Sequence, residues 1–384
     1  MEKNKKKVLI ISNFHEDNSI SRSKIVFNYF NKKKYNAIVL YSNFSHSERK
    51  YRELTNKKFK SLKTIKYSSS ISLIRLLSHF IYTIQVIKYL QKNDEELIYL
   101  ILPPNLLSFI IVFKLRKKVK IIVDILDLWP EAFPHDNNII KKNMIYIFGV
   151  FPRFIRRIAI KMSDYCITES NYFYKKLNLD IKSKSKTIYL KKAFNILPIL
   201  DQISDEVSFA FLGNIGHIYD FDSLFKILLG IQKKKKIMLH IVGAGPKEKW
   251  LIRKLEDKNI PYKNHGISFD EHFKTEIFSK CWFGYNGYKD STEVALSYKS
   301  VDYLSYGLPL INSAKEDTQM LVISNKIGYN FDKQNLDQLI TKILSLSIKQ
   351  VLIMKKNAFR TFKSSFSEES FSNEMDEVIT SISL

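Results

Sequence analysis

The sequence predicts an α/β protein made of two Rossmann-like domains, each a doubly wound parallel sheet. Three observations predict it. Short runs of branched and aromatic residues alternate with stretches of helical spacing, which is the rhythm of βαβ units. That rhythm halts near residues 196–206, where Asp201–Glu206 is polar, and then starts afresh. A chain of 384 residues is also too long for one ordinary core and sufficient for two.

The first domain is expected over residues 1–195. It opens with a lysine-rich lead, without an apolar leader segment, and enters a buried strand at Val8–Ser12. A polar loop runs through Asn13 and Asn18 to Arg22, a helix passes through Val26 and Tyr29, and Ala37–Tyr41 is a second strand. Ile71–Leu90 has amphipathic helical spacing, while Leu97–Ile101, Lys120–Asp124 and Tyr165–Thr168 are apolar runs of the parallel-strand type. The longest apolar run, Leu97–Phe113, is interrupted by Pro103-Pro104-Asn105. It therefore reads as strand, loop and helix, and no membrane span is predicted. Beyond the 196–206 linker, the second domain (207–366) has strands at Val207–Leu212, Lys236–Val242 and Trp282–Tyr285. Residues 367–384 have the spacing of an acidic amphipathic helix.

Composition narrows the partners. Hydrophobic residues make up 45% of the chain, which argues against disorder, and no internal period marks a repeat array. Lys+Arg 62 against Asp+Glu 38 gives a formal net charge of +24, so an anionic partner is expected: nucleic acid, acidic lipid or a phosphorylated substrate. The basic residues group with apolar helices and not in any nucleic-acid reading motif, so no nucleic-acid partner is expected. Cys166 and Cys281 lie far apart in apolar runs and read as core residues of a reduced, cytosolic protein. No His/Cys/Asp/Glu cluster has metal-ligand spacing, and no cofactor or bound metal is expected.

The second half carries a series of glycine turns. Leu212-Gly213-Asn214-Ile215-Gly216 ends a strand and leads to a helix near Asp222. Glycines there let the backbone approach a phosphate at a helix N-terminus; a plain tight turn is the competing reading, because His217-Ile218-Tyr219 supplies no third glycine. Gly243-Ala244-Gly245-Pro246 is a second strand-end turn with a mainly structural reading, and His265-Gly266-Ile267 is a third. Lys299 to Ile311 then forms a helix-to-strand unit. Lys299 and Asp302 share a helical face, Gly307 stops the helix, Pro309 bars its return and Leu310-Ile311 begins a strand. Gly328-Tyr329-Asn330 follows.

In this order and spacing, these segments resemble the donor-binding half of GT-B sugar-nucleotide glycosyltransferases. The likeness is to the family-4-like bacterial surface-polysaccharide enzymes (capsule, exopolysaccharide, O-antigen), in which Lys-x-x-Glu-Tyr-x-x-x-Gly-x-Pro recurs. The resemblance implies two Rossmann-like domains facing across a cleft, with the terminal helix crossing back to the first. It implies a nucleotide-diphosphate sugar as donor, UDP-sugar favoured, held by Gly213, Asn214, Gly216, Gly243, His265, Gly266, Glu293, Lys299 and Asp302. Lys299 would neutralise the diphosphate, Asp302 would accept from the ribose hydroxyls, and the His265-Gly266 backbone would read the base. Retaining members carry two Glu eight positions apart. The second stands at Asp302, but the first falls on Val294, with Glu293 adjacent, so the stereochemistry stays open.

In the first half, Asp124-Ile-Leu-Asp127-Leu-Trp129-Pro130-Glu131 places acids at a strand's C-terminal end, where parallel sheets put their chemistry. It resembles a stretch of lipopolysaccharide and capsule glycosyltransferases. Asp127 or Glu131 would orient the acceptor hydroxyl or act as base; alternatively both cap the next helix while Trp129 packs. Asn13, Asn18 and Arg22 are expected on the acceptor-side lip. Asp220-Phe-Asp222 reads as an N-cap and not as a metal-binding pair. From Lys141 to Lys161, Phe148, Phe151 and Phe154 are interleaved with Arg153, Arg156 and Arg157, and Lys114, Arg116, Lys117 and Lys118 end another helix. This is either an amphipathic surface for acidic headgroups or a solvated charged face over a packed apolar one.

The expectation is a glycosyltransferase with Asp127, Glu131 and Lys299 as catalytic residues. Its partners would be a nucleotide-sugar donor, a saccharide acceptor on a lipid diphosphate, and an acidic membrane surface. It would be cytoplasmic and peripheral at the inner face of the plasma membrane, and the reading admits a homo-oligomer. The alternatives are a sugar-nucleotide epimerase of the same fold and a non-catalytic sugar-binding or scaffold subunit.

Overall fold

A computed structural model describes residues 5–16, 21–68, 72–131, 139–179, 184–193, 196–292 and 294–383, with backbone alone for 139–146. Two compact units divide the chain: Met1–Lys191 together with Phe371–Leu384, and Lys192–Ser370. The division falls at Lys191/Lys192, a few residues before the linker expected at 196–206.

The first unit runs β1 (Lys7–Ser12), α1 (Arg22–Lys32), β2 (Asn36–Ser42), β3 (Phe59–Leu62), α2 (Leu73–Leu90), β4 (Leu97–Leu102), α3 (Asn105–Leu115), β5 (Lys120–Ile125), α4 (Ile139–Met162), β6 (Tyr165–Thr168), α5 (Asn171–Lys176) and β7 (Ser185–Thr187). Its strands form one parallel sheet in the order β3-β2-β1-β4-β5-β6-β7. Successive side chains of a strand face opposite sides, and both sides are covered. Val8 and Ile10 of β1 pack with Phe27 and Phe30 of α1 and with Phe371, Met375 and Val378 near the C-terminus. Leu9 and Ile11 pack with Tyr82 and Val86 of α2 and Leu107 and Ile111 of α3. That double burial is why β4, Leu-Ile-Tyr-Leu-Ile-Leu, has no polar position.

The second unit continues with β8 (Val207–Leu212), α6 (Phe221–Gln232), β9 (Ile237–Val242), α7 (Glu248–Asp257), β10 (Tyr262–Asn264), α8 (Glu271–Lys280), β11 (Phe283–Asn286), α9 (Tyr298–Ser305), β12 (Leu310–Asn312), α10 (Glu316–Asn325), β13 (Gly328–Asn330), α11 (Leu336–Leu344) and α12 (Ile348–Phe366). A final helix, α13 (Glu368–Ser381), supplies the C-terminal residues of the first unit. The second sheet is parallel in the order β10-β9-β8-β11-β12-β13. One core joins Phe209 and Phe211 of β8 to Leu224 and Leu228 of α6, Leu251 and Leu255 of α7, and Leu339 and Ile343 of α11. Lys355 of α12 is wholly buried, and its ammonium donates to the carbonyls of Phe278, Ser279 and Cys281, which closes the C-terminal end of α8.

Candidate functional site

In the second unit, the predicted donor residues gather at the C-terminal ends of the strands, where open parallel sheets place ligands. The turn after β8 is stitched to the turn after β9. Gly213 N–H donates to Val242 O at 2.8 Å, Ile215 N–H to Ala244 O at 2.9 Å and Gly216 N–H to Asn214 O at 3.1 Å. These amides are therefore already committed to carbonyls, against the expectation that the Gly213–Gly216 backbone as a whole cradles a phosphate. Asn214, exposed at the tip, keeps an amide bonded to no carbonyl among the described residues. Gly243 has φ +149, and a Cβ there would run into the Gly213 carbonyl, so its role is the close packing of the two turns. His265 lies edge to edge with His240, the rings 4° from parallel and Nε2 3.1 Å from Nδ1, while the Gly266 carbonyl accepts from Gly243 N–H at 2.6 Å. Burial holds both imidazoles below the usual histidine value, His240 at about 4. Glu293 lies outside the described residues.

Helix α9 is fixed under β8 by Tyr303, whose hydroxyl accepts from Leu212 N–H at 2.8 Å and donates to Ala210 O at 3.0 Å. The ring lies against Gly284 of β11, where any Cβ would collide with it. Lys299, in the first turn, is only 7% exposed. Its ammonium sits in the corner of two aromatic rings, 3.7 Å from the centre of Phe211 and 3.5 Å from that of Tyr219, which meet edge to face. Among the described residues, the Lys299 Nζ has no hydrogen-bond partner. Burial, opposed only by the charge of Asp302, drives its pKa well below the ordinary lysine value. Asp302, partly exposed, is bonded to Lys192 at 2.7 Å, so a ribose hydroxyl would have to share it. Asp220 caps α6 as expected, accepting from Ser223 N–H at 3.1 Å and Ser223 Oγ at 2.6 Å.

In the first unit, the strand-end acids divide into two kinds. Asp124 is fully buried and takes Arg22 Nε at 2.7 Å and the Tyr99 hydroxyl at 2.6 Å. Arg22 is 3% exposed and Asn13 5% exposed, so neither forms the lip expected of them. A guanidinium beside a buried carboxylate gains more from the pair than from water at the loop edge. Asn18 lies outside the described residues. Glu131 is gripped by Arg156 through two bonds, 2.6 and 3.0 Å, and Arg156 also donates to Trp129 O at 2.8 Å. Asp127 and Glu169 have no such cation. Burial raises both, Glu169 to about 7 against the pull of Arg22. Glu169 follows β6 and was not singled out by any motif.

Three aromatics of α4 face outward, Phe148 73% exposed, Phe151 65% and Phe154 59%, while Ile155, Ala159 and Ile160 are buried and Arg156 is turned in. These three rings are thus not part of a packed apolar face. Helix α2 adds exposed Leu73, Ile74, Leu77 and Phe80. Helix α3, which packs against both, ends in exposed Lys114, Arg116, Lys117 and Lys118. Among the described residues, no helix is long and apolar enough to cross a membrane.

No protein-family model and no curated protein matches the sequence. Solved structures do match in fold. A sucrose-phosphate synthase from Thermosynechococcus elongatus superposes with TM-score 0.67 at 13% identity, covering 98% of each chain. HepE of Anabaena, in complex with UDP, gives 0.66 at 13% identity over 98% of this chain and 100% of that one. The lipopolysaccharide outer core galactosyltransferase WaaB, in its apo form, gives 0.65 at 13% identity over 98% and 99%. The two parallel-sheet units thus make the GT-B fold.

Proposed function

We propose that this protein is a glycosyltransferase that moves a sugar from a nucleotide-diphosphate donor, with a UDP-sugar favoured, to a lipid-linked or growing surface-polysaccharide acceptor. The observation that carries the reading is Lys299: a buried ammonium without a hydrogen-bond partner among the described residues, on the first turn of a helix, next to a glycine turn. A buried charge left unpaired is unfavourable, and an incoming anion would relieve it. The helix N-terminus favours negative charge in the same place. On this reading, Lys299 and the first-turn amides of α9 stabilise charge on the departing diphosphate, and Asp302 releases Lys192 to hold the ribose. Structures of the same fold include HepE in complex with UDP and with UDP-glucose, which supports the donor class.

Asp127 and Glu169, the strand-end acids without a bonded cation, would meet the acceptor hydroxyl. The outward aromatics of α4 and the apolar face of α2, with the lysines and arginines at the end of α3, suit an acidic membrane surface. On this reading the protein works at the inner face of the plasma membrane on a lipid-diphosphate acceptor, to which such a surface is suited. The test is thermal unfolding with UDP, GDP, ADP and CMP. One diphosphate should raise the melting temperature, and Lys299→Ala should blunt the rise. No shift with any of them would remove the donor site.

A further inference from the structure

Strands β11, β12 and β13 each end in asparagine, and the parallel register aligns the three: Asn286 opposite Asn312, Asn312 opposite Asn330. Asn286 and Asn312 are wholly buried. Their side chains are bonded in series. Ser297 Oγ donates to Asn286 Oδ1 at 2.9 Å, Asn286 Nδ2 to Asn312 Oδ1 at 2.7 Å, and Asn312 Nδ2 to Asn330 Oδ1 at 2.7 Å. Asn330 Nδ2 closes the series on Gln319 O at 3.0 Å.

The direction of the series is chemically determined. Ala314 N–H can only donate, and it reaches Asn312 Oδ1 at 3.1 Å; Ala314 O can only accept, and it takes Asn312 Nδ2 at 2.7 Å. Those two bonds fix which side of the Asn312 amide is oxygen. Asn286 must then present nitrogen to Asn312 and oxygen to Ser297. The single hydroxyl proton of Ser297 is thereby committed, and its lone pair is left facing Ser300 N–H at 3.0 Å, the N-cap bond of α9. A serine hydroxyl ordinarily rotates to suit its surroundings, whereas a buried series with every member satisfied is rigid. Capping alone needs no buried series: Ser347 caps α12 at the surface, its hydroxyl donating to Gln350 Oε1 at 3.0 Å.

We infer that Asn286, Asn312 and Asn330 are positioning residues that lock the Ser297 cap and so hold the first turn of α9, with Lys299, in register for the donor diphosphate. The inference rests on the donor-site reading above. It applies to the phosphates and not to the base, because α9 is the element that carries Lys299. Loosening the cap should weaken the grip on a diphosphate far more than on a monophosphate of the same nucleoside.

The test is calorimetric titration of the full chain with UDP and with UMP. Ser297→Gly separates locking from capping, since glycine holds an N-cap nearly as well as serine. Asn312→Ala breaks the series without changing the cap residue. Both variants should raise the Kd for UDP about tenfold, the size of one charge-assisted hydrogen bond, while the Kd for UMP moves less than about twofold. Ser297→Thr, which restores the hydroxyl, should return UDP binding to the wild-type value. Equal losses for UDP and UMP, or no loss for either, would overturn the positioning role. A wild-type chain that binds neither nucleotide would overturn the donor-site reading and this inference together. If Asn312→Ala does not fold, Ser297→Gly decides alone.

Discussion

Replacing Lys299 with methionine should make the free protein more stable and the nucleotide site useless. Lys299 is 7% exposed, and among the described residues its ammonium has no hydrogen-bond partner. Desolvating an ion in a protein interior costs several kcal/mol after relaxation. Ring faces at 3.7 and 3.5 Å return about 2 kcal/mol each at best. A net penalty of about 1–3 kcal/mol remains, similar to that of other unsatisfied buried polar groups. Methionine has nearly the same length, fills the same corner and adds a favourable sulfur–aromatic contact. For a unit the size of Lys192–Ser370, each kcal/mol moves the melting temperature by about 2–4 °C. Lys299→Met should therefore melt about 2–12 °C higher without nucleotide, at neutral pH, by differential scanning fluorimetry, and should show no further rise with UDP. The gap has a pH signature. Because the folded-state pKa is lowered, the unfolded chain holds the extra proton, and wild-type stability rises with pH up to the free-lysine value near about 10.4. The advantage of methionine should shrink over that interval. A methionine variant that melts lower than wild type, or one that still responds to UDP, would refute the argument.

Three further outcomes are expected. Glu169, raised to about 7, is favoured in its protonated form by folding, so its contribution is intact below the free-carboxyl value and is lost as pH rises through 7. Glu169→Gln should accordingly gain roughly 2 kcal/mol over wild type at pH 8 and nothing near pH 4 in urea unfolding, given about 1.4 kcal/mol per pKa unit and some solvent access. Changing Phe148, Phe151 and Phe154 to serine should reduce co-sedimentation with anionic vesicles several-fold, with stability unchanged within about 0.5 kcal/mol because the rings are exposed. Equal binding by wild type and variant would remove α4 from the membrane surface. Asp124→Ala should cost about 3–5 kcal/mol in denaturant unfolding, since it leaves Arg22 buried without its carboxylate; a loss under 1 kcal/mol would contradict the burial of that pair.

The sheet scaffold was readable wherever a strand is long and buried on both faces. Leu97–Leu102 and Val207–Leu212 declare themselves as apolar runs. The edge strands β7, β10 and β13, each three residues long, carry too few side chains for a period to show. The site was readable as turns but not as bonds. Glycine at 213 and 216 marks a tight turn, yet nothing local shows that Val242 and Ala244 have already claimed its amides. Arg22 looked like a loop residue because its partner Asp124 stands 102 positions away. Helical spacing placed Phe148, Phe151 and Phe154 on one stripe without saying which stripe turns inward; the two bonds from Arg156 to Glu131 settle that. The asparagine series leaves no motif, since its members meet only when β11, β12 and β13 align.

The return of α13 has a consequence for how the protein is made. Phe371, Met375, Val378 and Ile379 belong to the same core as β1 and β2, and Tyr29 and Lys33 of α1 bond to Asp376 at 2.7 and 2.6 Å. All of Lys192–Ser370 is synthesised between the two halves of that core. At about 5–20 residues per second, a ribosome spends roughly 10–40 s on the intervening unit. For that interval the face of the first sheet that α13 covers stays open, while the second unit, continuous in sequence, can close on itself first. The part of the chain translated earlier is thus the part completed later.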